Sequence, residues 1–160
     1  MLLYLLRHGD ALTDSALPDS ERPLSELGFR QATAAAQFLK RSGASVNLII
    51  TSPLLRARQM AVPTKELFGV TETQTSECLT PFSDQRQLFS LLNATTAESI
   101  LLVGHEPHLS STIALLISGE TQSRAEMKKG SCACVETKRP VDRGSGILRW
   151  LATTELMPHQ

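Results

Sequence analysis

The chain of 160 residues carries no excess of charge of either sign: Lys plus Arg number 16 and Asp plus Glu number 16. Such a balance sets up no overall field toward nucleic acid or an anionic membrane, so any anion site has to be local. Cysteine is scarce, and the three present form an odd set without framework spacing. That excludes a disulfide scaffold and points to a reducing compartment. No stretch approaches the roughly 18 apolar residues that cross a bilayer. The apolar opening lacks a basic leader, is about half as long as a secretory signal needs, and runs into Arg7. A cytoplasmic protein is expected. There is no internal repeat and no low-complexity segment. What remains, at 41% hydrophobic and 20% charged residues, is one domain over 1–160, long enough to bury a sizeable core.

Strand and helix signals alternate along it. Leu2 to Leu6 is an apolar run of the length of a strand buried on both faces, and it stops at Arg7-His8-Gly9. A long polar loop follows, and long loops in compact domains are usually functional or mobile. Ser25 is a candidate N-cap for a helix whose small face is Ala32, Ala35, Ala36, Phe38 and Leu39, with Gly43 as its stop. Val46–Thr51 reads as a second strand. Ser52 and Pro53 suit N-cap and first helical position of a helix reaching Phe68, with a kink or early break expected at Pro63. Val70–Leu79 holds a possible edge strand. Asp84–Asn93 suits a helix with Leu88, Leu91 and Leu92 inward. Ser99–Val103 repeats the buried-strand pattern before Gly104-His105-Glu106-Pro107 and a helix closing at Gly119. Ser131–Thr137 and Gly144–Leu151 are the last strands, ahead of a loose tail. This order predicts a three-layer α/β/α sandwich around a mostly parallel sheet.

In open α/β sheets ligands bind at the carboxyl ends of strands, where His8 and His105 both fall. A phosphoryl group attacked by a side chain needs an uncharged nucleophile and cations aimed at its oxygens. His8 supplies the first, Arg7 and Arg56 the permanently charged forks, and His105 a donor to a phosphoryl oxygen. Arg58, roughly 200° further round the helix than Arg56, reads as a solvated residue.

The ordered set of Arg7-His8-Gly9, Ser52-Pro53-Leu54-Leu55-Arg56-Ala57 and Gly104-His105-Glu106-Pro107 resembles the histidine phosphatase superfamily, the phosphoglycerate mutase-like group. Arg22-Pro23-Leu24-Ser25 and Lys128-Lys129-Gly130 add a likeness to its SixA-type phosphohistidine phosphatases. The resemblance implies a phosphohistidine intermediate on His8, with Arg7, Arg56 and His105 completing the pocket. It thins over Val70–Asn93, where the superfamily's mutases and phosphomonoesterases carry a glutamate acid. The local stretch offers only Glu77 and Asp84, neither in a convincing motif. An alkoxide leaving group benefits about 10²–10⁴-fold from a positioned acid, whereas a protonated imidazole departs easily. The expected activity is therefore removal of phosphate from a protein histidine. The alternative is a phosphomonoesterase of a small metabolite using Glu77 or Asp84 as acid.

Other residues stay open. Arg22 and Gly9 are candidate substrate-binding positions, with Arg22 equally an ordinary ion pair. Glu106 either orients a histidine or complements a helix N-terminus. His108 lines the pocket or sits on the surface. Lys128 and Lys129 solvate a turn at Gly130 or steer an acidic partner. His105 and His108 stand three apart across a proline, not four apart on a helix as in zincins, so no metal is expected. Cys132 and Cys134 read as buried thiols on one strand face. No cofactor is expected, and the partner is a phosphohistidine-bearing protein rather than a nucleic acid or a membrane. A monomer is expected.

Overall fold

In the computed structural model the described residues are 1–13, 16–121 and 125–157. Ten regular elements alternate as expected: β1 (Leu2–Arg7), α1 (Glu26–Arg41), β2 (Leu48–Thr51), α2 (Leu55–Phe68), β3 (Thr73–Thr75), α3 (Gln85–Ala94), β4 (Ser99–Gly104), α4 (His108–Ser118), β5 (Cys132–Thr137) and β6 (Gly146–Ala152). They build one six-stranded sheet in the order β3-β2-β4-β1-β5-β6. The pairs from β3 across to β1 are parallel, and β5 runs antiparallel to both β1 and β6.

Successive side chains of a strand leave on opposite faces, and β1 shows what that achieves. Tyr4 and Leu6 join Ala32, Ala35 and Leu39 of α1 and Ala57 and Met60 of α2. Leu3 and Leu5 join Leu88 and Leu92 of α3 and Leu109 and Ile113 of α4. One run of six residues thereby belongs to two cores, the three layers foreseen. Each fully buried leucine in it contributes about 1.5–3 kcal/mol of burial free energy. Among the described residues no helix is long and apolar enough to cross a membrane.

Caps bear out the local readings in part. Ser25 Oγ accepts from Gly28 N–H and opens α1, and the left-handed Gly69 closes α2. The start of α2 needs correction. Leu54, extended at ψ 135°, is its N-cap, so the helix opens at Leu55 and not at Pro53. Ser52 Oγ still accepts from Leu54 N–H, at 3.3 Å, but within a bend ahead of the helix. The break expected at Pro63 is also absent, since α2 runs unbroken to Phe68. Met60, Ala61 and Thr64 are buried around the proline, and that packing offsets the one hydrogen bond a proline forfeits. In α3 the inward residues are Leu88, Phe89 and Leu92, with Leu91 only half-buried. The tail is not loose throughout: Thr154–Leu156 form a 3-10 turn and Met157 is buried, while 158–160 lie outside the described residues.

Gly28 marks where α1 meets the loop after β1. A Cβ at Gly28 would stand 2.0 Å from the Asp10 carbonyl oxygen. Gly→Ala in a helix normally stabilises by about 1 kcal/mol, but Gly28→Ala should instead destabilise by about 1–3 kcal/mol, the cost of overpacking. A urea unfolding midpoint reads this directly, and a raised midpoint would contradict the contact.

Candidate active site

The site is a consequence of strand register. β4 is inserted between β1 and β2, with Arg7 opposite Gly104 and Thr51 opposite Val103. The next residues along, His8 and His105, therefore leave adjacent strands side by side. Their ring centroids are 4.9 Å apart and the planes tilted by 56°. His8 N–H donates to the Gly104 carbonyl at 3.1 Å, extending the ladder one residue past its end. The opening of α2, immediately beyond β2, brings buried Arg56 to the same edge. The late start of α2 makes Arg56 its second residue rather than placing it a turn further on.

His8 is held in one tautomer. Its Nδ1 lies 2.7 Å from the Gly9 carbonyl oxygen; a carbonyl can only accept, so Nδ1 carries the proton and Nε2 keeps its lone pair. Burial first, and then the charges of Arg56, Arg7 and Lys129, push the His8 pKa down to about 4. The imidazole is neutral at pH 7. His105 is pushed down to about 3 by burial, then by His8 and Arg56, and both its ring nitrogens are buried without a partner among the described residues. Arg7 donates through Nη1 to the Met127 carbonyl at 2.6 Å, while its Nε is buried and has no acceptor. A neutral imidazole, a second imidazole 4.9 Å away and the charges of Arg56 and Arg7 are gathered at one sheet edge. That set suits an oxyanion.

The loop after β1 wraps this edge through specific anchors. Asp10 N–H donates to Gln31 Oε1 at 2.7 Å, and Leu24 N–H to Gln59 Oε1 at 2.8 Å. A Cβ on Gly9 would meet Gln31 Oε1 at 2.8 Å and the Gly28 carbonyl at 2.9 Å. The close approach of α1 thus demands glycine there, and the Gly9 carbonyl is the group that orients His8. Arg22 sits at the mouth and is ion-paired: its Nη1 donates to Asp19 Oδ1 at 2.9 Å and its Nε to the Leu12 carbonyl at 2.9 Å. Asp19 also receives both ends of Arg56, Nη1 onto its carbonyl at 2.7 Å and Nη2 onto Oδ2 at 3.0 Å. Sequence reasoning missed Asp19. It is one of several acids in a polar loop without periodicity, and only its position three residues before Arg22 on a 3-10 turn offered a signal.

Several open residues now have places. Glu106 Oε1 accepts Ser110 N–H at 3.0 Å, the helix N-terminus reading. Lys129 pairs with Asp10 at 2.7 Å and Lys128 with Glu155 at 3.3 Å, flanking the turn at Gly130. Arg58 is exposed. Cys132 and Cys134 are buried, and burial pushes both thiols up, Cys134 to about 11. His108 is the clearest correction to a surface placement: it is buried, neither ring nitrogen has a partner among the described residues, and burial pushes its pKa down to about 4. Asp84 is the N-cap of α3, accepting from Arg86 N–H at 2.9 Å and from the Arg86 guanidinium at 2.7 Å. Those bonds hold its carboxyl below the usual range. Glu77 is exposed on the 3-10 turn Glu77–Leu79.

The chain is an enzyme acting on phosphoryl groups and belongs to the histidine phosphatase superfamily: the profile of its branch 1 matches residues 3–82. Within that family the chain is 32% identical over 125 residues to the phosphohistidine phosphatase SixA of Escherichia coli strain K12, covering 76% of this chain and 77% of the relative. It superposes on the structure of the protein histidine phosphatase SixA complexed with tungstate with a TM-score of 0.86, at 26% identity, covering 96% of this chain and 97% of the other. A mycobacterial glucosyl-3-phosphoglycerate phosphatase with VO3 shares the fold, with a TM-score of 0.69, 19% identity and coverage of 93% and 97%.

Proposed function

We propose that this phosphatase removes phosphate from a phosphorylated histidine on another protein, with His8 as nucleophile. Nε2 of His8 attacks phosphorus as the bond from phosphorus to the substrate imidazole nitrogen breaks. The departing imidazole takes a proton from solvent at the nitrogen that loses phosphorus, and the phosphoryl group resides on His8. Water then attacks that phosphorus, inorganic phosphate leaves, and His8 returns to its neutral form. Arg7 and Arg56 hold the phosphoryl oxygens, and His105 donates an N–H to one of them. The Gly9 carbonyl holds the Nδ1 proton, so that Nε2 is bare in the free enzyme.

The observation that favours a phosphohistidine over a phosphoester is the state of the two candidate acids. Asp84 is tied to Arg86 in an ionised cap, and Glu77 stands exposed. Neither is a carboxyl buried at the site and free to deliver a proton to an alkoxide, the group a phosphomonoesterase needs. An imidazole leaving group, protonated as it departs, tolerates that lack. The likeness to the Escherichia coli SixA points the same way.

Phosphate release from a phosphohistidine protein and from glycerol 2-phosphate, an alkyl ester whose alkoxide needs an acid, measured in parallel, tests the reading. The first should be fast and the second slow. Asp84→Asn and Glu77→Gln should each leave both rates within about threefold of wild type, against the 10²–10⁴-fold loss (order of magnitude) that follows removal of a general acid. A preference for the phosphoester, with a collapse in either variant, would transfer the assignment to a small phosphorylated metabolite.

A further inference from the structure

The cations around His8 are not equally available. Arg7 is held only by a backbone carbonyl, that of Met127. The three at the mouth are each matched to a carboxylate. Arg22 Nη1 and Arg56 Nη2 meet the two oxygens of Asp19 at 2.9 and 3.0 Å. Lys129 Nζ meets Asp10 Oδ1 at 2.7 Å, and the second oxygen of Asp10 accepts from Ser25 Oγ at 2.7 Å. Arg56 and Arg22 hold Asp19 well below the usual carboxylate range, so it stays ionised at neutral pH. Its side chain is 61% exposed, whereas that of Arg56 is 7% exposed. The carboxylate therefore lies on the outer side of a buried guanidinium.

From this we infer that Asp19 is a specificity determinant, a fixed negative charge at the mouth that rejects phosphorylated substrates bearing a second anionic group next to the leaving atom. A carboxylate on a substrate would seek a cation beside the phosphoryl pocket. Arg22, the one best placed, is already bridged to Arg56 by Asp19, and Lys129 is bound to Asp10. The incoming anion would meet Asp19 at close range in a partly screened setting, where a unit charge weighs about tenfold in binding or more. A phosphoryl group on a neutral imidazole brings no second charge to meet it. The inference rests on the placement of the phosphoryl group among His8, Arg7 and Arg56, and it narrows the substrate to one with an uncharged leaving group and no acidic side chain close to it.

Phenyl phosphate and 4-carboxyphenyl phosphate test it, because they differ by one carboxylate and neither is a phosphohistidine. Wild type should favour phenyl phosphate in kcat/KM. Asp19→Asn keeps the shape and one of the two side-chain acceptors but removes the charge, and it should narrow that preference about tenfold. Asp19→Glu, which keeps the charge, should hold the preference within about twofold of wild type. The same pair titrated by calorimetry into His8→Ala should show the same narrowing in Kd on adding Asp19→Asn, which separates binding from chemistry. Equal effects of Asp19→Asn on the two compounds would overturn the inference and leave Asp19 as a support for Arg56 alone. So would a wild type indifferent to the carboxylate. Failure of the protein to release phosphate from a phosphohistidine would instead count against the proposed substrate, with this ratio still readable.

Discussion

His8→Ala is expected to lower phosphate release by about four orders of magnitude or more, the scale on which removal of a covalent nucleophile acts. The loss should be the same on a phosphohistidine protein and on p-nitrophenyl phosphate, because the same nitrogen attacks in both. His105→Ala should cost less, about 10²–10³-fold, as for a donor to a developing oxyanion. The asymmetry follows from geometry. The two rings stand side by side, but only His8 has its Nδ1 proton committed to a carbonyl, 2.7 Å away, leaving Nε2 free. A second readout is covalent: brief exposure of wild type to a labelled substrate should leave an acid-labile, base-stable phosphoryl group, absent from His8→Ala. Retention of more than about one per cent of activity in that variant would falsify the assignment of the nucleophile, whatever the natural substrate.

The second large effect is on stability in acid. His8, His105 and His108 are buried with pKa values pushed down to about 4, 3 and 4, against 6.5 for a free histidine. Their folded values lie below the unfolded ones, so between about pH 6.5 and 4 the unfolded chain binds protons that the folded chain does not. The histidines must therefore lower stability as pH falls through that window, and their contribution levels off below it. Each histidine adds a slope of about 1.4 kcal/mol per pH unit, and three together about 4. Against a typical total of about 5–15 kcal/mol, the fold should be severely weakened by pH 5. Urea midpoints at pH 7.5, 6.5, 5.5 and 5.0 check this, and a flat series would contradict the burial of the three rings as neutral groups. His108→Leu isolates one of them. With neither ring nitrogen partnered among the described residues, its removal should stabilise the protein by about 1–3 kcal/mol at pH 7 and flatten the acid slope by about a third. Because His8 stays neutral to about pH 4, loss of activity between pH 6.5 and 5 would track unfolding rather than titration of the nucleophile.

How much of this was legible beforehand follows from the range of the forces involved. The apolar run Leu2–Leu6, the Ser25 cap and the glycine stops act within a few residues, and each reappears in the structure. The choice of Arg56 over Arg58 rests on helical geometry and is matched by their burial and exposure. Where a local rule competed with packing, packing prevailed. Pro63 does not break α2, and Leu54 rather than Ser52 caps it. His108 is buried, although nothing in its neighbours along the chain distinguishes it from a surface residue.

By itself, then, the amino-acid order determined the alternation of strands and helices, the two-sided burial of β1 and the delivery of a histidine to each of two strand ends. Those are properties of short segments, set by side-chain alternation, capping and backbone permissiveness. Only the tertiary structure decided that β4 lies between β1 and β2 with Arg7 opposite Gly104, which is what makes two histidines 97 positions apart into neighbours. It also decided that Asp19 reaches across to Arg56, 37 positions further along. Strand order and loop ion pairs depend on contacts distant in sequence, among many acids and bases of equal local standing, and only the closed fold selects which of them meet.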